Sequence, residues 1–223
     1  MTEYGKELFK SPDHKYYDGF TLAEVLITLV IIGVIAAMTI PTLINKTNNQ
    51  EYVSRLKKAY STLSQATNKI ISDNGIPKAD IGGWATSNED VYNMYKKYLS
   101  NVKDCQSASA DCKTIYYTWR DSNTHNFAGD YTLFLADGSK VIFGNSSTDC
   151  TYDTSGTYSA CQIIHVDVNG GKGPNFVGKD IFAFALKNEG LFPVGCDYDG
   201  CKKTAAGWGC TCKAIRDNAI NYL

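Results

Sequence analysis

The chain has no surplus of either charge and very little histidine. Its 223 residues carry 22 Lys and Arg against 23 Asp and Glu, a formal net charge of −1. Beyond residues 1–19 the balance is 19 basic and 19 acidic side chains. Sequence-independent binding to nucleic acid needs a basic patch that displaces counterions, so nucleic acid is not expected as a partner. The three histidines, His14, His125 and His165, stand beside no recognisable nucleophile motif, and no paired carboxylate set is identifiable. Without a placed base there is no signature of acid–base or nucleophilic catalysis, and no enzymatic activity is expected. The third lack is local: from Val25 to Ile44 there is no charged residue.

Twenty uncharged residues at 1.5 Å per residue reach across a hydrocarbon layer of roughly 30 Å, so this stretch is expected to span a membrane. Residues 1–18 are polar, contain Pro12 and show no helical or alternating period. A secretory signal peptide, cut for instance after Ala37, is the competing reading. It calls for a basic start and a shorter apolar run than this one. A plain anchor accounts for the length. It gives no reason for a carboxylate, Glu24, at the edge of the span, nor for Gly19 directly before Phe-Thr-Leu-Ala-Glu. Gly33 and Pro41 fall where helices loosen or kink, although both also occur in ordinary membrane helices.

Beyond Asn45 the chain turns polar yet keeps a period. Tyr52, Val53, Leu56, Ala59, Tyr60, Leu63, Ala66, Ile70 and Ile71 recur at three- and four-residue steps, one stripe of an amphipathic helix, and Gly75 with Pro77 is a stop signal. Residues 20–74 therefore read as one long helix. A shorter helix is expected over Asn88–Leu99. Strands follow at Thr114–Trp119, Tyr131–Leu135 and Lys140–Phe143, the last two joined by the hairpin signal Asp137-Gly138, then at Cys161–Val168 and Ile181–Leu186. The expected fold is α+β: a long N-terminal helix packed on a small antiparallel sheet. Fifteen tyrosines suit core and interface packing, or a sticky, carbohydrate-facing surface.

Eight cysteines, Cys105, Cys112, Cys150, Cys161, Cys196, Cys201, Cys210 and Cys212, all lie beyond the apolar stretch. An even count in Gly/Ser/Asp-rich segments reads as a disulfide framework made in an oxidising compartment. Local closure suggests Cys105–Cys112 and Cys150–Cys161. A Cys210–Cys212 bond would be strained, so each is expected to reach back to Cys196 or Cys201. Four thiolates on zinc are the alternative for this last group, at spacings unlike the usual pair of C-x2-C knuckles.

The run Gly19-Phe20-Thr21-Leu22-Ala23-Glu24, followed at once by an apolar helix reaching Pro41, resembles the cleavage and methylation motif of type IV prepilins and type II secretion pseudopilins. The resemblance covers about a quarter of the chain. It implies a pilin-like protein with a leader at 1–19, a transmembrane and assembly half of the helix at 20–44, an amphipathic half at 45–75 and an extracytoplasmic head at 76–223. It implies that a prepilin peptidase cuts between Gly19 and Phe20 and methylates the new amine. In the family picture Glu24 of one subunit meets the terminal amine of Phe20 in its neighbour, which suits a carboxylate that is costly to bury unpaired. The implied partners are other pilin or pseudopilin subunits and an inner-membrane assembly platform. The implied location is a single pass through the bacterial inner membrane, then an extracellular or periplasmic filament. A minor pilin-like adhesin or a DNA-uptake pseudopilin is the alternative role. Some pseudopilins bind calcium in a carboxy-terminal loop, which makes Asp167, Asn169 and Asp180 candidate ligands by analogy. A tight Gly/Pro/Asn turn held by Asx hydrogen bonds explains the same residues.

Overall fold

A computed structural model describes residues 19–76, 81–85, 87–105, 116–119, 122–126, 131–147, 149–151, 159–170, 172–196, 200–202 and 206–222. Helix α1 occupies Leu22–Asp73 with Pro41 inside it. The Thr21 carbonyl accepts its first bond, from the Val25 N–H at 3.2 Å, and at the far end the Ile76 N–H donates to the Ile71 carbonyl at 3.1 Å. Gly75 supplies the positive φ, 60°, that this closing turn requires.

The chain divides after Asn45 into two compact units. In the first, every residue from Leu22 to Asn45 is exposed except Ala36, which is half-buried. This helix is apolar on all sides and long enough to cross a membrane. Its hydroxyls need no water. Thr28 donates to the Val25 carbonyl at 2.9 Å, Thr39 to Ile35 at 2.9 Å and Thr42 to Met38 at 3.5 Å, which is how polar side chains are satisfied inside lipid.

The second unit is built around the remainder of α1, which buries Val53, Leu56, Ala59, Leu63, Ala66, Thr67 and Ile70. Then come α2 (Ile81–Trp84), α3 (Asn88–Tyr98), strands β1 (Asn101–Cys105), β2 (Tyr116–Thr118), β3 (Thr124–Asn126), β4 (Tyr131–Leu135), β5 (Lys140–Ser146), β6 (Gln162–Asp167), β7 (Ile181–Lys187) and β8 (Gly190–Pro193), and helix α4 (Cys210–Asp217). Ser87 caps α3, its hydroxyl accepting from the Asp90 N–H. Six strands form one antiparallel sheet in the order β1-β4-β5-β6-β7-β8, and β2 pairs with β3 separately.

The sheet is covered on both faces, and β7 shows how. Phe182, Phe184 and Leu186 join the core shared with α1 and α3, while Ile181, Ala183 and Ala185 pack into two smaller clusters opposite, as the two-residue period of a strand demands. On the helical side Tyr60 stacks on Phe184 with centroids 5.5 Å apart, and Tyr92 and Tyr95 of α3 meet Phe143 at 6.0 and 5.4 Å. On the other side Tyr117 and Trp119 of the β2–β3 hairpin and Trp208 of the C-terminal arm cover Ile142, Val177, Ile181 and Ala183.

The sequence pattern and the structure differ mainly at edges. β2 begins at Tyr116; of the expected strand Thr114–Trp119, residues 114 and 115 lie outside the described residues. β5 continues three residues past Phe143. β1 and β3 carry no strong apolar period and were not expected; α2, β8 and α4 were not expected either, each being too short for a period to register. The four C-terminal cysteines form disulfides, Cys196–Cys212 and Cys201–Cys210, which removes the thiolates a zinc site would need. Cys150 is bonded to Cys161. Cys112, and with it the proposed Cys105–Cys112 closure, lies outside the described residues.

Candidate assembly and processing site

Gly19 and Phe20 precede α1 outside any regular element, and Phe20 is 89% exposed. Gly19 adds no side chain, and a Cβ there would meet nothing within 4 Å, so the peptide bond between Gly19 and Phe20 is sterically open. Two residues on, Thr21 and Glu24 close a reciprocal ring. The Thr21 N–H donates to Glu24 Oε2 at 2.8 Å, the Thr21 hydroxyl donates to the same oxygen at 2.9 Å, and the Glu24 N–H donates to Thr21 Oγ1 at 3.2 Å. This is a capping box: two N–H groups that the first turn leaves unbonded find partners, and the carboxylate sits at the positive end of the helix dipole. The spacing Thr-x-x-Glu is a helix-start signal legible in the sequence, although the motif reading of Gly19 to Glu24 assigns Thr21 no role of its own.

Gly33 and Pro41 both lie inside α1. Pro41 has no N–H to offer the Ala37 carbonyl, and Gly33 has open space around it.

The loop carrying Asp167, Asn169 and Asp180 joins β6 to β7 and brings the three together. Asp167 Oδ1 accepts from the N–H groups of Asn169 at 3.1 Å and Gly170 at 2.9 Å. Asp180 Oδ2 accepts from Asn169 Nδ2 at 3.0 Å and the Asn175 N–H at 2.8 Å, and Oδ1 from the Phe176 N–H at 2.6 Å. Both aspartates are fully buried. Burial pushes both carboxyls upward, Asp167 to about 6, with Lys140 opposing and Asp180 reinforcing the rise at Asp167. Three oxygens in this loop, Asp167 Oδ2, Asn169 Oδ1 and Asn175 Oδ1, are buried without a hydrogen-bond partner. Among the described residues no group of three or more His, Cys, Asp or Glu is placed to hold a metal ion.

His165 is buried against Trp208, with ring centroids 4.6 Å apart, and desolvation lowers it to about 3. It stays neutral near pH 7. His125 stacks on Trp119 at 3.6 Å. His165 lies on β6 in the sheet itself, and His125 on β3 in the hairpin that covers it. His14 lies outside the described residues.

A family model described as a family of unknown function (DUF6613) matches residues 42–193, and a model of the prokaryotic N-terminal methylation motif matches residues 14–40. No curated protein and no solved structure matches the chain.

Proposed function

The chain belongs to the family of unknown function DUF6613, and because a prepilin-type methylation signal precedes that region, we propose that it is a structural subunit of a type IV pilus or a type II secretion pseudopilus. That it is a type IV pilin-like protein, structural in type, follows from the signal itself. The observation that carries the finer reading is the coincidence of the signal with the exposed, all-round apolar part of α1. A prepilin peptidase cuts between Gly19 and Phe20 and methylates Phe20. The helix then holds the subunit in the bacterial inner membrane by a single pass, the disulfide-bonded head outside, until an assembly platform moves it into a filament. Within the filament Glu24 of one subunit pairs with the amine of Phe20 on the next. A carboxylate and an ammonium that are each costly in a low-dielectric bundle become tolerable together.

Mass spectrometry of sheared filaments tests this reading. An N-terminal peptide beginning with methyl-Phe20 is the expected result; mature protein still beginning at Met1 would sink it.

The same reading keeps calcium as the proposed occupant of the loop joining β6 and β7. The orphaned oxygens of Asp167, Asn169 and Asn175 support it, because a hard cation takes carboxylate and amide oxygens. Asp180, with both oxygens already engaged by N–H groups, would act by shaping the loop. Calcium there would tie β6 to β7. Calorimetric titration with calcium chloride after EDTA treatment checks it, and a flat titration would remove calcium from the account.

A further inference from the structure

We propose that Thr21 is a positioning residue for filament assembly: it grips one oxygen of Glu24 and leaves the other aimed outward for the amine of a neighbouring subunit. The proposal rests on the reading of Glu24 given above and adds a residue and a geometry to it.

Both donors of Thr21, its N–H and its hydroxyl, converge on Oε2 of Glu24, at 2.8 and 2.9 Å. The hydroxyl has one proton, spent on Oε2, and turns a lone pair to the Glu24 N–H at 3.2 Å. Among the described residues nothing donates to Oε1, although an ionised carboxylate has room for about four donors. The carboxylate is thus half satisfied, on the side facing its own backbone. A glutamate free on a helix surface samples many rotamers, and a partner must halt that motion to pair with it. The ring through Thr21 has already halted it, so the neighbour's amine finds a preorganised acceptor and binding loses less entropy. In lipid the arrangement has a second consequence. The N–H groups of Thr21 and Glu24, which no water would reach, are bonded before any neighbour arrives.

The position of Thr21 fits this task. Cleavage at Gly19–Phe20 makes it the second residue of the mature chain, directly between the amine that pairs outward and the helix that carries Glu24. Valine at this position keeps the shape and the backbone N–H bond but removes the hydroxyl; serine keeps the hydroxyl.

The test uses the full chain produced with its peptidase and assembly machinery. Thr21→Val, Thr21→Ser, Glu24→Ala and the double change Thr21→Val with Glu24→Ala are compared for cleavage and methylation, membrane insertion and the sheared filament fraction. Thr21→Val is expected to be cleaved, methylated and inserted like the wild type while its filament fraction falls roughly tenfold, the factor that one lost hydrogen bond to a charged group represents. Thr21→Ser restores that fraction, and in the Glu24→Ala background the valine causes no further loss. Wild-type filament yield from Thr21→Val, a block at cleavage, or independent losses from the two changes would each overturn the positioning role. A wild-type chain left uncleaved at Gly19–Phe20 would instead overturn the reading beneath it, and the proposal with it.

Discussion

Asp167 ends β6 with its carboxyl fully buried, Lys140 across the ladder from it and Asp180 at the other end of the same loop. Desolvation outweighs Lys140 and the two N–H donors, so the folded protein holds this proton up to about pH 6, against an ordinary value of 3.8. A carboxyl raised on folding adds stability that is fully present below about pH 3.8 and is lost as the pH climbs through 6. A shift of this size corresponds to at most about 3 kcal/mol. Asp167→Asn keeps the oxygen that accepts from Asn169 and Gly170 and cannot ionise. In EDTA, urea midpoints of the wild type should therefore decline between pH 4 and 6 more steeply than those of the variant. Parallel curves would show that Asp167 already titrates normally in the folded state.

At the scale of elements, two joints dominate. Thr67 on α1 donates to the Leu63 carbonyl at 2.8 Å and pairs with the buried Tyr95 hydroxyl of α3. Since the Thr67 proton is used on Leu63, Tyr95 is the donor, and burial raises its hydroxyl above the usual phenol range. Thr67→Val should cost about 1–3 kcal/mol by stranding that hydroxyl, and Tyr95→Phe in the same chain should recover part of the loss; purely additive effects in a denaturation cycle would refute the coupling. The second joint is the C-terminal arm, where Gly195 has a φ of +94° and a Cβ would fall 2.0 Å from the Gly209 carbonyl oxygen. Gly195→Ala should exceed the penalty of about 1 kcal/mol for positive φ alone. Gly138→Ala, with a φ of +85° and open space, isolates that smaller penalty, and equal melting temperatures for the two variants would rule the collision out. Neither joint was visible beforehand. The β4–β5 hairpin was, because Asp137-Gly138 sits between two apolar runs rich in β-branched and aromatic residues. The edge strand Asn101–Cys105 was hidden by its polar composition, and Gly190–Pro193, though apolar, because four residues with a terminal proline are too short to show a strand period. Helix α4 was hidden because Cys210 and Cys212 are fixed by bonds to distant residues rather than by their neighbours. The candidate loop residues Asp167, Asn169 and Asp180 could be named as a set from their oxygen-rich spacing, whereas the burial of the two aspartates depends on the packing around β6 and β7, and the engagement of Asp180 by the Asn175 and Phe176 N–H groups on the fold of the loop itself.

For the molecule as a whole, the unit beginning at Lys46 has what a separate folding unit needs. Its core runs from Val53 to Ile220 without drawing on any residue before 46. Its own ends are fastened, Asn49 Nδ2 donating to the Ile220 carbonyl at 3.3 Å and Lys57 Nζ to Asn218 Oδ1 at 2.9 Å. The residues before it contribute exposed apolar surface, from Leu22 through Ile44, far beyond the patch that a soluble monomer tolerates. A fragment starting at Lys46 and exported to an oxidising compartment should therefore be monomeric without detergent, with Cys150–Cys161, Cys196–Cys212 and Cys201–Cys210 formed. Its thermal midpoint should match that of the head in the detergent-solubilised full chain, because no stabilising contact of the core has been removed. The full chain without detergent should associate through its apolar segment. Calorimetry with sedimentation velocity distinguishes the cases: a fragment that melts several degrees lower would mean that residues before Lys46 support the core, and a monomeric full chain in plain buffer would mean that the apolar helix finds cover within its own subunit. If the fragment behaves as expected, the unit beginning at Lys46 folds without the apolar stretch of α1.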